Sequence, residues 1–201
     1  MEHFCWLLIK DVLTFILTIF GLYIAGSGLL TWKKQMKGTK EFETAYNLNY
    51  SILKLREALK QVRHPAIWPS ESAKAIKFAR EKYPEKSDSE LEKDAHAYVY
   101  EMRWEQISKA STEMESHLLA AEVLWGEELL DLTKPLYKKI SELNTSLKKT
   151  FQHIPEKSVE DYTKRDEVIY GGLEDEENNG FSKELNFVIR TIEEYLKTKI
   201  T

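Results

Sequence analysis

Cysteine occurs once, at Cys5, so the chain can build neither an internal disulfide framework nor a paired-cysteine zinc site. Eight glycines and five prolines are too few to punctuate a series of short strands, and no alternating strand pattern with hairpin turns is present. A glycine-rich phosphate loop and a G-x-S-x-G elbow are both missing. None of the five histidines follows a carboxylate by three residues, which excludes the Glu-x-x-His pairs of a di-iron helical protein. A large charge of one sign is lacking as well: the formal net charge is −4. Nucleic-acid-binding domains carry a basic face, so no nucleic-acid partner is expected. Together these absences point away from an enzyme and from a bound metal or cofactor. A Ser/His/Asp grouping assembled only in the fold stays open.

What the chain does have is one long apolar run. From Val12 to Leu30 it reads VLTFILTIFGLYIAGSGLL, with Tyr23 its one ionisable residue. A helix needs about twenty apolar residues to cross the hydrocarbon core of a bilayer. Trp32 then supplies an aromatic anchor and Lys33-Lys34 a cationic stop. The expected organisation is a transmembrane anchor over residues 1–32 and a soluble helical domain over 33–201. Lys33, Lys34, Lys37 and Lys40 follow the run, whereas Glu2, Lys10 and Asp11 before it nearly cancel. Lysine and arginine near a span stay in the cytoplasm. This predicts an external amino terminus and a cytoplasmic domain, with the four lysines also touching anionic lipid heads at about 1 kcal/mol each. The competing reading is a signal peptide cleaved near Ala25-Gly26-Ser27. Against it, the leading segment is not basic and apolar residues continue past that point. Cys5 reads as an inert apolar residue at the membrane edge. Gly21, Ala25 and Gly28 share one face of the span, where small residues would let two helices approach closely; small residues are also simply common in membrane helices.

Residues 33–201 hold 28 basic and 31 acidic residues and are rich in Glu, Lys, Leu and Ala, a composition that favours helix. Ala45, Leu48, Ile52, Leu55, Leu59 and Val62 form one apolar stripe of a helix over about Lys40–Arg63, with Phe42, Tyr46, Tyr50 and Leu53 as a second stripe beside it. Two stripes predict burial against more than one neighbour. His64-Pro65 ends this helix. A short helix capped by Ser70 or Ser72 is expected through about Lys82, closed by Tyr83-Pro84, and Ser87 or Ser89 starts the main element. From Ile107 to Ile154 apolar residues recur at 3-4-4 spacing through Ala121, Trp125, Leu129 and Leu136. This eleven-residue repeat predicts one long helix. Pro135 lies inside it and predicts a kink; the alternative is a chain reversal at Leu132-Thr133-Lys134. A charged turn over residues 174–180 precedes a last helix from about Ser182, with Leu185, Val188 or Ile189, Ile192 and Leu196 inward. The fold class expected is all-α: a transmembrane helix followed by a helical bundle built on one long helix.

Few residues invite a site. Trp68, Tyr98, Tyr100, Trp104 and Trp125 could line a ligand or partner site, although aromatics at helical spacing more often fill cores. Arg63 and His64 could meet an anion, or only complement a helix dipole. Glu113 with His117 and Glu92 with His96 are four residues apart, the spacing of a solvated surface pair.

Trp32-Lys33, Gly38, Glu41, Ala45, Leu55-Arg56-Glu57-Ala58 and Val62-Arg63-His64-Pro65 resemble a group of bacterial single-span proteins with a helical domain. The likeness covers about residues 30–70, and His64 stands where asparagine is more usual. It implies a bacterial inner-membrane home and a helical domain, and carries over no site residues. The expected function is a membrane-anchored interaction or scaffold protein, with the bilayer and a protein partner or a second copy of the chain as partners. The alternative is a sensor that binds a small ligand between its helices and signals through its span.

Overall fold

A computed structural model describes residues 2–172 and 177–200. The expectations placed on the side chains of Glu2, Cys5 and Asp11, and on positions 174–176, lie outside the described residues. Among those described there are seven helices and no strand: α1 (Glu2–Arg63), α2 (Pro69–Lys82), α3 (Asp88–Lys93), α4 (Ala95–Trp125), α5 (Glu128–Phe151), α6 (Val159–Ile169) and α7 (Gly180–Ile200). The chain divides into two units, Met1–Glu43 and Thr44–Thr201.

In the first unit, one helix is long and apolar enough to cross a membrane, and no part of its apolar window is buried by protein. Its polar side chains bond within the helix. Thr14, Thr18 and Thr31 donate to the carbonyls four residues earlier at 2.8–2.9 Å, and Ser27 donates to Ile24 O. Below the run, Lys37 pairs with Glu41 and Lys40 with Glu43.

In the second unit, α1 buries all six residues of its first stripe, none more than 1 % exposed. They share a core with Ile107, Met114, Leu118 and Ala121 of α4, Leu129, Leu136 and Leu143 of α5, and Leu185, Ile189, Ile192 and Leu196 of α7. Of the second stripe only Leu53 is half-buried: Tyr46 and Tyr50 are 57 % and 50 % exposed, and Phe42 is likewise on the surface. The Lys54–Glu113 and Arg56–Glu193 ion pairs border the covered face, where charged groups keep contact with water. A smaller cluster joins Ala75 and Ala79 of α2, Leu91 of α3, and Tyr98 and Val99 of α4.

The expected long helix is two helices. α4 ends at Trp125, and Gly126 reverses the chain at φ 75 and ψ −161, a region open almost only to glycine. Tyr100, near the start of α4, meets Phe151, at the end of α5, with ring centroids 5.1 Å apart, so the two helices run antiparallel. The apolar phase survives the reversal because both helices face one core. Pro135 lies inside α5, and the break falls neither there nor at Leu132-Thr133-Lys134. Other ends differ as well. Trp68 occupies the cap position of α2 because Pro69 takes its first turn. Ser87 caps the short α3 through a reciprocal box with Glu90, and α4 begins only at Ala95. Ser158 caps α6 by accepting from Asp161 N.

If Gly126 sets the reversal, Gly126→Ala should destabilise the fold by about 1–3 kcal/mol through its backbone alone, because a Cβ there meets nothing within 4 Å. Chemical denaturation of the two proteins measures this directly; equal midpoints would place the reversal elsewhere.

Candidate functional site

Two buried arginines fix several helix ends of the second unit. Arg63, the last residue of α1, is fully buried. Its Nε donates to Val168 O at 2.8 Å and its Nη2 to Glu167 O at 3.0 Å, so it caps the carbonyl end of α6. Nη1 donates to Ser182 Oγ and Nη2 to Asn179 Oδ1, which ties α1 to the start of α7. Asn179 also caps α7 by accepting from Ser182 N. The Phe181 ring lies 4.6 Å from the guanidinium carbon. Burial lowers the Arg63 pKa to about 10, opposed by the charge of Glu167, so the group stays cationic at neutral pH. Gly171, at φ 131, completes this corner: a Cβ there would lie 2.6 Å from Asn179 Nδ2.

Arg103 of α4 makes the second clamp. It holds Glu71 of α2 in a two-pronged ion pair at 2.6 and 2.8 Å, and donates to His64 O and Ala66 O. The Pro65 break is thus pinned from α4. The Arg103 guanidinium holds the Glu71 carboxyl below the usual carboxylate range, against the opposing effect of burial. Neither Arg63 nor Arg103 presents its charge to solvent. His64 is turned back on its own loop, accepting from Ala66 N at 3.2 Å. The anion reading of Arg63-His64 therefore has no open site behind it, and the dipole that Arg63 complements is that of α6.

The clamps leave an open surface between α1 and α4. Arg103 meets His64 and Lys54 meets Glu113 at 2.7 Å, so the two helices run antiparallel here. A shallow groove of about 400 Å³ follows the seam, with Tyr50, Leu53, Ala58 and Ala110 among its lining residues. Tyr46 and Tyr50 stack with centroids 6.5 Å apart. On another face of α4, Leu119 and Val123 are 64 % and 86 % exposed. Aromatic and aliphatic side chains displayed in this way suit docking of another protein surface.

The sequence-predicted residues do not converge. Trp68 is exposed at the start of α2. Tyr98 is buried in the small cluster and accepts from Lys86 Nζ at 2.8 Å. Trp104 packs half-buried beside Tyr100, Leu147 and Phe151 in a groove of about 340 Å³. Trp125 packs on the main core, its buried Nε1 without a hydrogen-bond partner. Trp104 and Trp125 stand 21 residues apart on one helix, about 30 Å, so one pocket cannot hold both. Trp32, Lys33, Lys34, Lys37 and Lys40 are exposed on α1, as are Gly21, Ala25 and Gly28, with nothing within 4 Å of a Cβ built on either glycine. Glu113 is engaged by Lys54. Among the described residues no three His, Cys, Asp or Glu side chains group as metal ligands. No protein-family model, curated protein or solved structure matches the chain.

Two measurements probe the clamps. Arg63→Lys should cost about 3 kcal/mol or more, because an ammonium cannot reproduce the planar fork and leaves buried acceptors unmet; a loss under 1 kcal/mol in urea unfolding would refute that role. Glu71→Gln should cost about 2 kcal/mol at neutral pH. A carboxyl whose folded pKa is lowered stabilises the fold above its ordinary value of 4.5 and loses that contribution as pH falls through the lowered value. The melting-temperature gap between wild type and Glu71→Gln should therefore narrow in acid.

Proposed function

We propose that this chain is a single-pass protein of the bacterial inner membrane whose cytoplasmic helical bundle works by docking a protein partner or a second copy of itself, without chemistry of its own. The observation that carries the reading is the apolar stretch from Val12, whose side chains no protein covers and whose serine and threonine hydroxyls bond back to their own helix. A bilayer demands internal satisfaction of polar groups and covers apolar ones. Lys33, Lys34, Lys37 and Lys40 support the cytoplasmic side, and the resemblance over about residues 30–70 supports the inner membrane. Attachment to a surface raises the effective concentration of partners, which suits a display of Tyr46, Tyr50, Leu119 and Val123. Gly21, Ala25 and Gly28 offer a face for pairing spans. The sensor reading draws on the groove beside Trp104, where Tyr100, Leu147 and Phe151 could enclose an apolar ligand.

Reporters fused after Thr201, one active only in the cytoplasm and one only outside, test the placement: the cytoplasmic reporter alone should be active. An active external reporter would reverse the topology. For docking, Leu119→Ser combined with Val123→Ser should leave stability within about 1 kcal/mol, since both side chains are exposed. The pair should nevertheless reduce chemical crosslinking of the full chain in membranes. Unchanged crosslinking would remove this surface from the proposal.

A further inference from the structure

Another concavity lies apart from the docking surface, where the start of α4, the end of α5 and α6 meet. It encloses about 560 Å³ and brings Lys93, His96, His153, Tyr162 and Arg165 to one cleft. These five side chains come from three separate parts of the chain. Among the described residues no hydrogen bond or ion pair engages the side chains of Lys93, His96 or His153 or the Tyr162 hydroxyl. The Arg165 side chain is only 14 % exposed, and its one ion pair is a 3.6 Å approach of Nη2 to the adjacent Asp166. Its Nε is buried with no hydrogen-bond partner. The Tyr162 ring lies against the guanidinium, 4.7 Å from its carbon. A guanidinium largely out of water and met only by this long ion pair would gain from an acceptor brought into the cleft it lines.

The local charge balance points the same way. Residues 44–201 carry 24 basic and 29 acidic residues, yet among the described residues the one carboxylate lining this cleft is Asp94, which pairs with Lys86 at 3.5 Å. Phe151, Ile154 and Pro155 supply an apolar wall. Donors converging from three elements suit a tetrahedral oxyanion with three terminal oxygens better than a flat carboxylate.

We propose that this cleft binds a small phosphate monoester, its phosphate held by Arg165, His96, His153 and Lys93 and its apolar group lying against Phe151 and Ile154. The proposal does not depend on the docking reading or on the membrane topology. The test uses the full chain in phosphatidylcholine nanodiscs, titrated calorimetrically with phenyl phosphate, inorganic phosphate, benzoate and benzyl alcohol. Phenyl phosphate should bind saturably, inorganic phosphate and benzoate more weakly, and benzyl alcohol not at all. Arg165→Gln should weaken phenyl phosphate about tenfold or more. His153→Gly and His96→Ala, both at exposed positions, should each weaken it while leaving the melting temperature unchanged, so the test survives if Arg165→Gln fails to fold. His117→Gln, outside the cleft, should bind as wild type. A second arm replaces part of the lipid by phosphatidic acid. Loss of phenyl phosphate binding there would identify a lipid headgroup as the natural source of the phosphate, and unchanged binding a free solute. Absence of saturable binding, or binding indifferent to both histidine substitutions, would overturn the proposal.

Discussion

The helical domain turns on one buried cation. Arg63 ends α1 inside protein, and every hydrogen-bond acceptor it meets is neutral: two carbonyls of α6, an amide oxygen and a hydroxyl. A guanidinium out of water is tolerable only where its donors are met at fixed geometry. That demand fixes the end of α6, the start of α7 and the end of α1 with respect to each other. Asn179 carries the constraint further, since its amide nitrogen donates to Glu167 O and Tyr170 O while its oxygen caps α7. Glu167 in turn accepts from Gly180 N through its side chain. Moving any one of these three helix ends would strand polar groups on the other two.

Periodicity made much of this fold legible. The stripe from Ala45 to Val62 and the inner face of α7 are buried as their spacing implies, because helices that share a core must repeat apolar residues every three or four positions. The same signal misled twice. Phe42, Tyr46 and Tyr50 repeat at helical spacing and yet face outward; periodicity identifies a face and not what covers it. The 3-4-4 repeat continues through the reversal at Gly126 because α4 and α5 turn equivalent faces to one interior. The local chemistry did carry the warning. Gly126 followed by Glu127 and Glu128 is a stop signal followed by the acidic first turn of a new helix, and it is stronger evidence for an end than Pro135, which α5 accommodates.

The candidate sites were less legible than the core, and for a physical reason. Large aromatics attract attention in a sequence, but Tyr98, Trp104 and Trp125 fill separate parts of the interior. The arginines that organise the helix ends look like any other surface arginine until their partners, 32 to 119 residues away, are brought to them. His153 gives no signal in sequence; it reaches the cleft because the turn after α5 holds it at φ 53. Pairings over such separations are properties of the tertiary fold, and only the placement of helix ends creates them.

Arg63, Arg103 and Arg165 sample three solutions to the same problem. Arg63 is met by neutral acceptors, and Arg103 by the carboxylate of Glu71 together with two carbonyls. The first two are closed and serve stability. Arg165 is nearly as buried but keeps a donor unmet, beside two histidines and a lysine that also have no partner. A fold that satisfies the first two cations so fully has the means to satisfy the third, and α6 itself carries four carboxylates, Glu160, Asp161, Asp166 and Glu167. Arg165 is also the one of the three that lines a cleft with His96, His153 and Lys93. Of the three arginines it is therefore the one whose missing acceptor is best supplied by a ligand, and the contrast with Arg63 and Arg103 separates a binding group from a structural one.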